Sequence, residues 1–210
     1  MGVIDFSVLV LFVPTFFFVS ITPGMCMTLA LTMGMAFGVK RTLWMMLGEL
    51  CGVALVAIAA VLGIAAFMLQ YPQAFQVFKY CGAAYLGYLG IKMWRARGRM
   101  VLVQPSETAP SAIPRWTLIS QGFITAVANP KGWAFFIALL PPFINQSKPV
   151  VPQMAVLLSV ILLLEFTCML IYASGGRTLS RLLHRGENVR LMNRIAGTLM
   201  LGVGGWLALS

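Results

Sequence analysis

Charged side chains are scarce in this sequence, and acidic ones are scarcest. Only 10% of the 210 residues are charged, and there are five Asp and Glu in total and one His. A soluble domain carries roughly 25% charged residues. Here 60% of the residues are hydrophobic and the mean hydropathy is +0.91. The composition therefore excludes an ordinary soluble domain and predicts an all-α polytopic membrane protein.

Metal-ligand and disulfide patterns are also lacking. The four cysteines all lie inside apolar runs, and none has CxxC spacing. We therefore expect no disulfide frame, no metal site and no cofactor, and we interpret each cysteine as a small packing residue. The cysteines are Cys26, Cys51, Cys81 and Cys168.

The excess of positive charge has a membrane explanation. The formal net charge of +10 could indicate nucleic-acid binding. However, Lys and Arg concentrate in alternate short gaps between the apolar runs, which is typical of cytoplasmic loops. We expect no nucleic-acid partner, a lipid bilayer around the chain, and both termini on the outer side.

Six apolar runs are long enough to be spanning helices, which need about 20 residues each. The first and the fourth are over-long and contain proline. The Pro- and Ser-containing stretch 98–114 separates a first unit, 1–97, from a second, 115–210, within one membrane domain. The predicted spans are 5–37, 42–69, 76–95, 116–144, 152–174 and 191–209.

The two units resemble each other. Pro23 in span one matches Pro130 in span four, and Glu49 in span two matches Glu165 in span five. The third span, "KYCGAAYLGYLG", resembles the sixth, "RIAGTLMLGVGG". Because three spans is an odd number, the second unit enters the membrane from the opposite side. The pattern predicts a 3+3 inverted repeat, and transporters of this kind bind substrate near the midplane, where broken helices meet.

The two prolines mark the predicted breaks. A break in hydrocarbon is tolerated where a ligand, water or polar side chains satisfy the freed backbone groups. A helix amino terminus suits a carboxylate and freed carbonyls suit an ammonium group, so a pair of breaks suits a free amino acid. A simple proline kink remains an alternative for either break. The predicted substrate-binding residues are Thr22, Pro23, Gly24, Asn129, Pro130 and Lys131.

Three ionisable residues lie deep inside predicted spans. Lys131 follows span four's start by about 15 residues, or about 22 Å of helix. It could attract a substrate carboxylate, pair with Glu49 or Glu165, or extend to the interface. The two acids are candidate proton-coupling residues, because burial favours a neutral carboxyl that can load and release a proton. The alternative is a protonated Glu hydrogen-bonded between helices, or one paired with Lys131.

At these residues the sequence resembles the lysine exporter (LysE/RhtB) superfamily, especially its homoserine/threonine/leucine exporter branch. "SITPGM" resembles the family's Pro-Gly-Pro motif, and "NPKGWAFFIALLPPF" resembles its Asn-Pro-Lys motif with the following Pro-Phe. "AAYLGYLG" and "LMNRIAG" also look like family patterns, so the resemblance covers essentially the whole chain. There is one departure, because Met25 stands where the family often has a second proline.

The resemblance implies a function. It implies export of small, neutral amino acids or derivatives across the bacterial inner membrane, by exchange for protons. We expect a transporter and not an enzyme, and the positive-inside pattern places both termini in the periplasm. By this resemblance, Pro23 and Gly24 match the family's Pro-Gly-Pro motif, and Asn129, Pro130 and Lys131 match its Asn-Pro-Lys motif. Whether the chain works as a homodimer stays open.

Three rival functions remain. A membrane dithiol electron carrier of similar fold needs a reactive cysteine in each half, and span four has none. A heavy-metal exporter requires Cys26, Cys51 and Cys168 to converge. A non-transporting membrane assembly factor would not need Glu165.

Overall fold

The computed structural model describes residue 4 and residues 6–70, 74–96, 113–145, 147–184 and 186–209. All regular secondary structure in these ranges is helical, which confirms the all-α class. A short 3-10 turn, Pro141–Phe143, follows α6. The helices are α1 Phe6–Ile21, α2 Met25–Phe37, α3 Val39–Gln70, α4 Ala74–Arg95, α5 Arg115–Val127, α6 Pro130–Leu139, α7 Val150–His184 and α8 Gly186–Leu209. The predicted linker at 98–114 lies outside the described residues except for its last two.

Eight helices stand where six spans were predicted, because two of the predicted spans are broken. Helices α1 and α2 form one bent pair, at 58°, and α5 and α6 form another, at 53°. Among the described residues, α3 and α7 are each long and apolar enough to cross a membrane alone. Each bent pair is long and apolar enough when its two helices are counted as one span. Helices α4 and α8 lie at the third and sixth predicted positions but do not meet this test. In α8, glycines and the polar residues Asn193 and Arg194 lower the apolar character.

The predicted breaks are confirmed, and proline causes both. Pro23 has no N–H and cannot continue α1, which ends at Ile21 before α2 begins at Met25. Pro130 is the first residue of α6, where a missing N–H costs nothing. The Asn129 side chain caps this start by accepting the Lys131 backbone N–H at 3.1 Å.

Each broken pair packs on the long helix of the other half. Helices α1 and α2 contact α7, while α5 and α6 contact α3. Helices α4 and α8 pack against each other. The two breaks are therefore brought together between α3 and α7.

Close backbone contacts fix α3 to α5. A Cβ on Gly48 would lie 1.8 Å from the Ile119 carbonyl oxygen, and one on Gly122 would lie 2.0 Å from that of Met45. Gly34, Gly52 and Gly197 also lie too close to a neighbouring helix for an added Cβ. Gly87 and Gly202, however, face open space, and Gly38 ends α2 with a φ of 72°.

We expect Gly48→Ala to lower the free energy of unfolding by about 2 kcal/mol or more, because a methyl group there must push two backbones apart. The melting temperature of the purified protein in detergent measures this change. Gly87→Ala is the matched control, since nothing lies within 4 Å of its added Cβ. There we expect a neutral result or a gain of about 0.5–1 kcal/mol from helix propensity. Equal melting temperatures for the two variants would contradict the packing role.

Candidate functional site

A small cavity lies where the two breaks meet. Its volume is about 50 Å³, which is room for a few water molecules. Its walls come from both broken pairs and from α3 and α7. Five of the eight predicted site residues line it: Thr22, Gly24, Asn129, Lys131 and Glu165. Pro23 and Pro130 form the adjacent backbone, and Glu49 is buried outside the lining.

The Lys131 ammonium group crosses from one break to the other. Its Nζ donates hydrogen bonds to the Val19 carbonyl at 2.8 Å and to the Thr22 carbonyl at 3.2 Å. In a continuous helix the Val19 carbonyl would accept from residue 23, but Pro23 has no N–H. Lys131 therefore satisfies the carboxyl-terminal end of α1, where a cation is also favoured by the helix dipole.

Two further groups complete the carboxyl-terminal end of α1. The Tyr172 hydroxyl of α7 donates to the Ile21 carbonyl at 2.7 Å. The Thr22 hydroxyl donates back to the Phe18 carbonyl at 2.6 Å. Four backbone carbonyls at the first break therefore accept hydrogen bonds from side chains of the protein. A break in a helix is stable in hydrocarbon only when such groups are satisfied.

Asn129 connects the breaks in the other direction. Its Oδ1 caps α6, and its Nδ2 donates to Cys26 Sγ at 3.3 Å near the start of α2. By contrast, the cap residue of α2, Gly24, has no side-chain cap hydrogen bond. Two helices, α2 and α6, begin at the cavity. The amides at the start of α6 have a side-chain cap, whereas those at the start of α2 have none.

Glu165 reaches the cavity from α7. It is buried, and the Ser20 hydroxyl of α1 donates to its Oε2. Lys131 interacts with it electrostatically, and both side chains line the cavity. Lys131 therefore lies near Glu165, one of the two acids with which it could pair, while its ammonium donates hydrogen bonds to backbone carbonyls.

Glu49 is the second acid, and its surroundings differ. It is fully buried on α3, and neither carboxyl oxygen has a hydrogen-bond partner in the described part of the chain. Its side chain interacts with Cys26 and with Glu165. Glu49 therefore lacks the donors that surround Glu165.

An aromatic wall closes one side of the cavity. Phe16 of α1 lies 5.5 Å from Phe135 and 6.2 Å from Phe136 between ring centroids, and all three rings line the cavity. Phe12 and Phe143 extend the cluster away from the cavity. We refer to these five rings as the aromatic wall. It gives the cavity an apolar lining beside its ionisable groups.

Three participants were not predicted in these roles. Cys26 was expected to be a packing residue, yet it lines the cavity and accepts from Asn129. Tyr172 and the Val19 carbonyl were not singled out. The role of the Val19 carbonyl could have been predicted from the sequence, because Pro23, four residues later, has no N–H to donate to it.

The metal-exporter rival required three cysteines to converge. Cys26 and Cys168 are buried, whereas Cys51 is exposed, and all are free thiols. Within the residues that the structure describes, no group of three or more His, Cys, Asp or Glu side chains could hold a metal ion.

Comparison with known proteins identifies the family. The family model described as "LysE type translocator" matches residues 17–210. The chain is 26% identical over 189 residues to a homoserine/homoserine lactone efflux protein of Salmonella typhimurium, which covers 90% of both chains. It is 28% identical over 195 residues to a leucine efflux protein of Enterobacter, covering 91% of this chain and 90% of that one.

A further relative has no assigned activity. An uncharacterized membrane protein of Vibrio cholerae is 29% identical over 189 residues, again covering 90% of both chains. No solved structure matches this chain. The resemblance stated from the motifs is confirmed by the family match over residues 17–210. This multi-pass membrane protein therefore belongs to the LysE-type translocator family.

Proposed function

We propose that this protein exports small, neutral amino acids or their derivatives from the cytoplasm in exchange for protons. Family membership and the relatives named as homoserine and leucine efflux proteins support amino-acid export. The carrying observation is geometric. Two broken helices meet at one cavity that holds an ammonium group, a carboxyl group and an uncapped helix start.

The polar groups around the cavity complement the two charged ends of an amino acid. The amides at the start of α2 and the Lys131 ammonium form a site for the substrate carboxylate. A Cβ placed on Gly24 would lie 3.6 Å from Lys131 Nζ, so Gly24 leaves this position open. Glu165 on α7 is the acceptor for the substrate ammonium. Thr22 and Asn129 are the neutral polar groups between them.

The aromatic wall is the site for the substrate side chain. Its rings offer apolar contact and no charge, which favours neutral side chains over basic or acidic ones. The present cavity holds a few water molecules only. Binding therefore requires the walls to separate, as alternating access between the two sides of a membrane also requires.

We further propose six spans arranged as a 3+3 inverted repeat in the inner membrane, with both termini periplasmic. The exchanged packing of each broken pair on the other half's long helix supports this arrangement. Helices α4 and α8, at 22 and 24 residues, are about 33 and 36 Å long, which is enough to cross the hydrocarbon core.

Proton exchange supplies enough energy for net export. One proton moving inward at 100 mV releases about 2.3 kcal/mol, which sustains roughly a 50-fold gradient of a neutral solute. Glu49 and Glu165 are the proposed proton-coupling residues, since both are acids at the level of the breaks. The exchange predicts that an uncoupler reduces export against a gradient.

We would test the function by efflux of preloaded amino acids from whole cells, with and without an uncoupler. Wild type is expected to export one or a few neutral amino acids. Asn129→Ala removes the α6 cap and the Cys26 contact, and is expected to reduce export about fivefold to 30-fold, in line with about 1–2 kcal/mol for a lost cap.

Asn129→Ser is the matched variant, because a serine hydroxyl can still cap α6. We expect it to retain more export than Asn129→Ala at equal expression. Export of no amino acid by wild type would refute the proposed function. Equal export by wild type and Asn129→Ala would refute the paired-break site.

A further inference from the structure

The two buried acids of this protein do not share the same surroundings. Glu165 accepts a hydrogen bond from Ser20, interacts with the Lys131 ammonium and lines the cavity. Among the described residues no hydrogen bond of good geometry reaches either Glu49 oxygen, although the weakly polar Cys26 thiol interacts with the side chain, and Glu49 does not line the cavity. An unpaired buried carboxylate is strongly disfavoured, and such a group takes up a proton instead.

The groups that face Glu49 offer no compensating positive charge. Helix α2 contributes the Cys26 thiol and α7 contributes Glu165, a second acid. Helix α5 packs over Glu49 with Gly122, whose added Cβ would lie 2.9 Å from the Glu49 backbone nitrogen. In the part of the chain that the structure describes, the surroundings of Glu49 therefore favour its neutral form.

Cys26 adjoins both Glu49 and the cavity. It lines the cavity and accepts from Asn129 on one side, and it interacts with Glu49 on the other. Glu49 itself is fully buried. A route for a proton from Glu49 to cavity water therefore runs past the Cys26 side chain.

From this geometry we propose that Glu49 carries the exchanged proton, that Glu165 holds the substrate ammonium, and that Cys26 is the gate between Glu49 and the cavity. The inference rests on proton exchange in the proposed function. In one cycle, a cavity hydronium gives its proton to the Glu49 carboxylate, leaving water and a neutral acid. On the cytoplasmic side the acid returns the proton to water.

Cys26 has a specific role in this scheme. Its side chain is small enough to move aside without backbone change, and its sulfur is a weak acceptor that holds Asn129 in place. Substrate binding that displaces Asn129 would also release Cys26. Occupation of the cavity and access to Glu49 are coupled in this way.

The test uses the full chain reconstituted in liposomes and infrared spectroscopy of its carboxyl groups. At neutral pH we expect a C=O band from a protonated carboxyl that is lost in Glu49→Gln and retained in Glu165→Gln. After transfer to D₂O, this band shifts as the proton exchanges. We expect exchange at least about tenfold slower in Cys26→Val, because the larger side chain obstructs water, and no slower than wild type in Cys26→Ala.

Cys168 provides the matched control, since it is also a buried free thiol but does not line the cavity. Cys168→Val and Cys168→Ala are expected to leave the exchange rate of the band unchanged. A band that persists in Glu49→Gln would overturn the assignment of the proton. Equal exchange rates in Cys26→Ala and Cys26→Val would overturn the gate.

The infrared measurement needs no substrate, so it is independent of the export assay. Export without the Glu49 band would leave the proposed function intact and refute this inference. The band without any export would support the proton assignment and refute the proposed function. In the export assay, we expect Glu49→Gln to retain exchange of substrate across the membrane. Its export should no longer respond to the uncoupler.

Discussion

Lys131→Met is expected to reduce export about 100-fold, to near the background of cells without the protein. The ammonium group makes two hydrogen bonds to the freed carbonyls of α1, and it is the charged part of the proposed carboxylate site. A charge-assisted hydrogen bond contributes about 1.5–3 kcal/mol, and about 2.7 kcal/mol corresponds to 100-fold. Efflux from preloaded cells at equal expression measures the change.

Lys40→Met is the matched control for this prediction. Lys40 lies at the start of α3 and is exposed, so the control makes the same change of residue type away from the cavity. We expect near wild-type export from it. Full export by Lys131→Met would show that the two carbonyls find other donors and that the carboxylate is bound elsewhere.

Glu165→Gln is expected to lower export by about tenfold to 100-fold, chiefly through weaker substrate binding. A glutamine can still accept the Ser20 hydroxyl, so the packing of α1 on α7 should persist. What is lost is the negative charge facing the substrate ammonium, worth about 1.5–3 kcal/mol. The dependence of export rate on internal substrate concentration separates weaker binding from slower turnover.

Glu187→Gln controls for the substitution itself, because Glu187 is exposed at the start of α8. Its export and its melting temperature should match those of wild type. Unchanged concentration dependence in Glu165→Gln would argue against an ammonium site at Glu165. A large drop in its melting temperature would assign Glu165 a structural role instead.

The positions of the helices and of both breaks could be predicted from the sequence, because apolar run length and proline act locally. Pro23 cannot continue α1, and Pro130 begins α6 and favours an extended conformation at Asn129 before it. The depth of Lys131 followed from counting residues along its span. Its partners did not, because the Val19 and Thr22 carbonyls are backbone groups that any residue would present.

The sequence also could not distinguish the two acids. Glu49 and Glu165 occupy matching positions in the two halves and are the same residue type. Their difference arises from neighbours distant in the chain, since Ser20 comes from α1 and the thiol of Cys26 from α2. Cys26 was interpreted as a packing residue for the same reason, because side-chain partners depend on how the helices rotate against each other.

The aromatic wall and the glycine contacts differ in how they can separate. At Gly48 and Gly122, α3 and α5 touch through backbone atoms, and this contact has no freedom to adjust. At Phe16 and Phe136, α1 and α6 touch through rings, which can rotate and slide without breaking a hydrogen bond. We therefore expect the walls of the cavity to separate between α1 and α6 and not between α3 and α5.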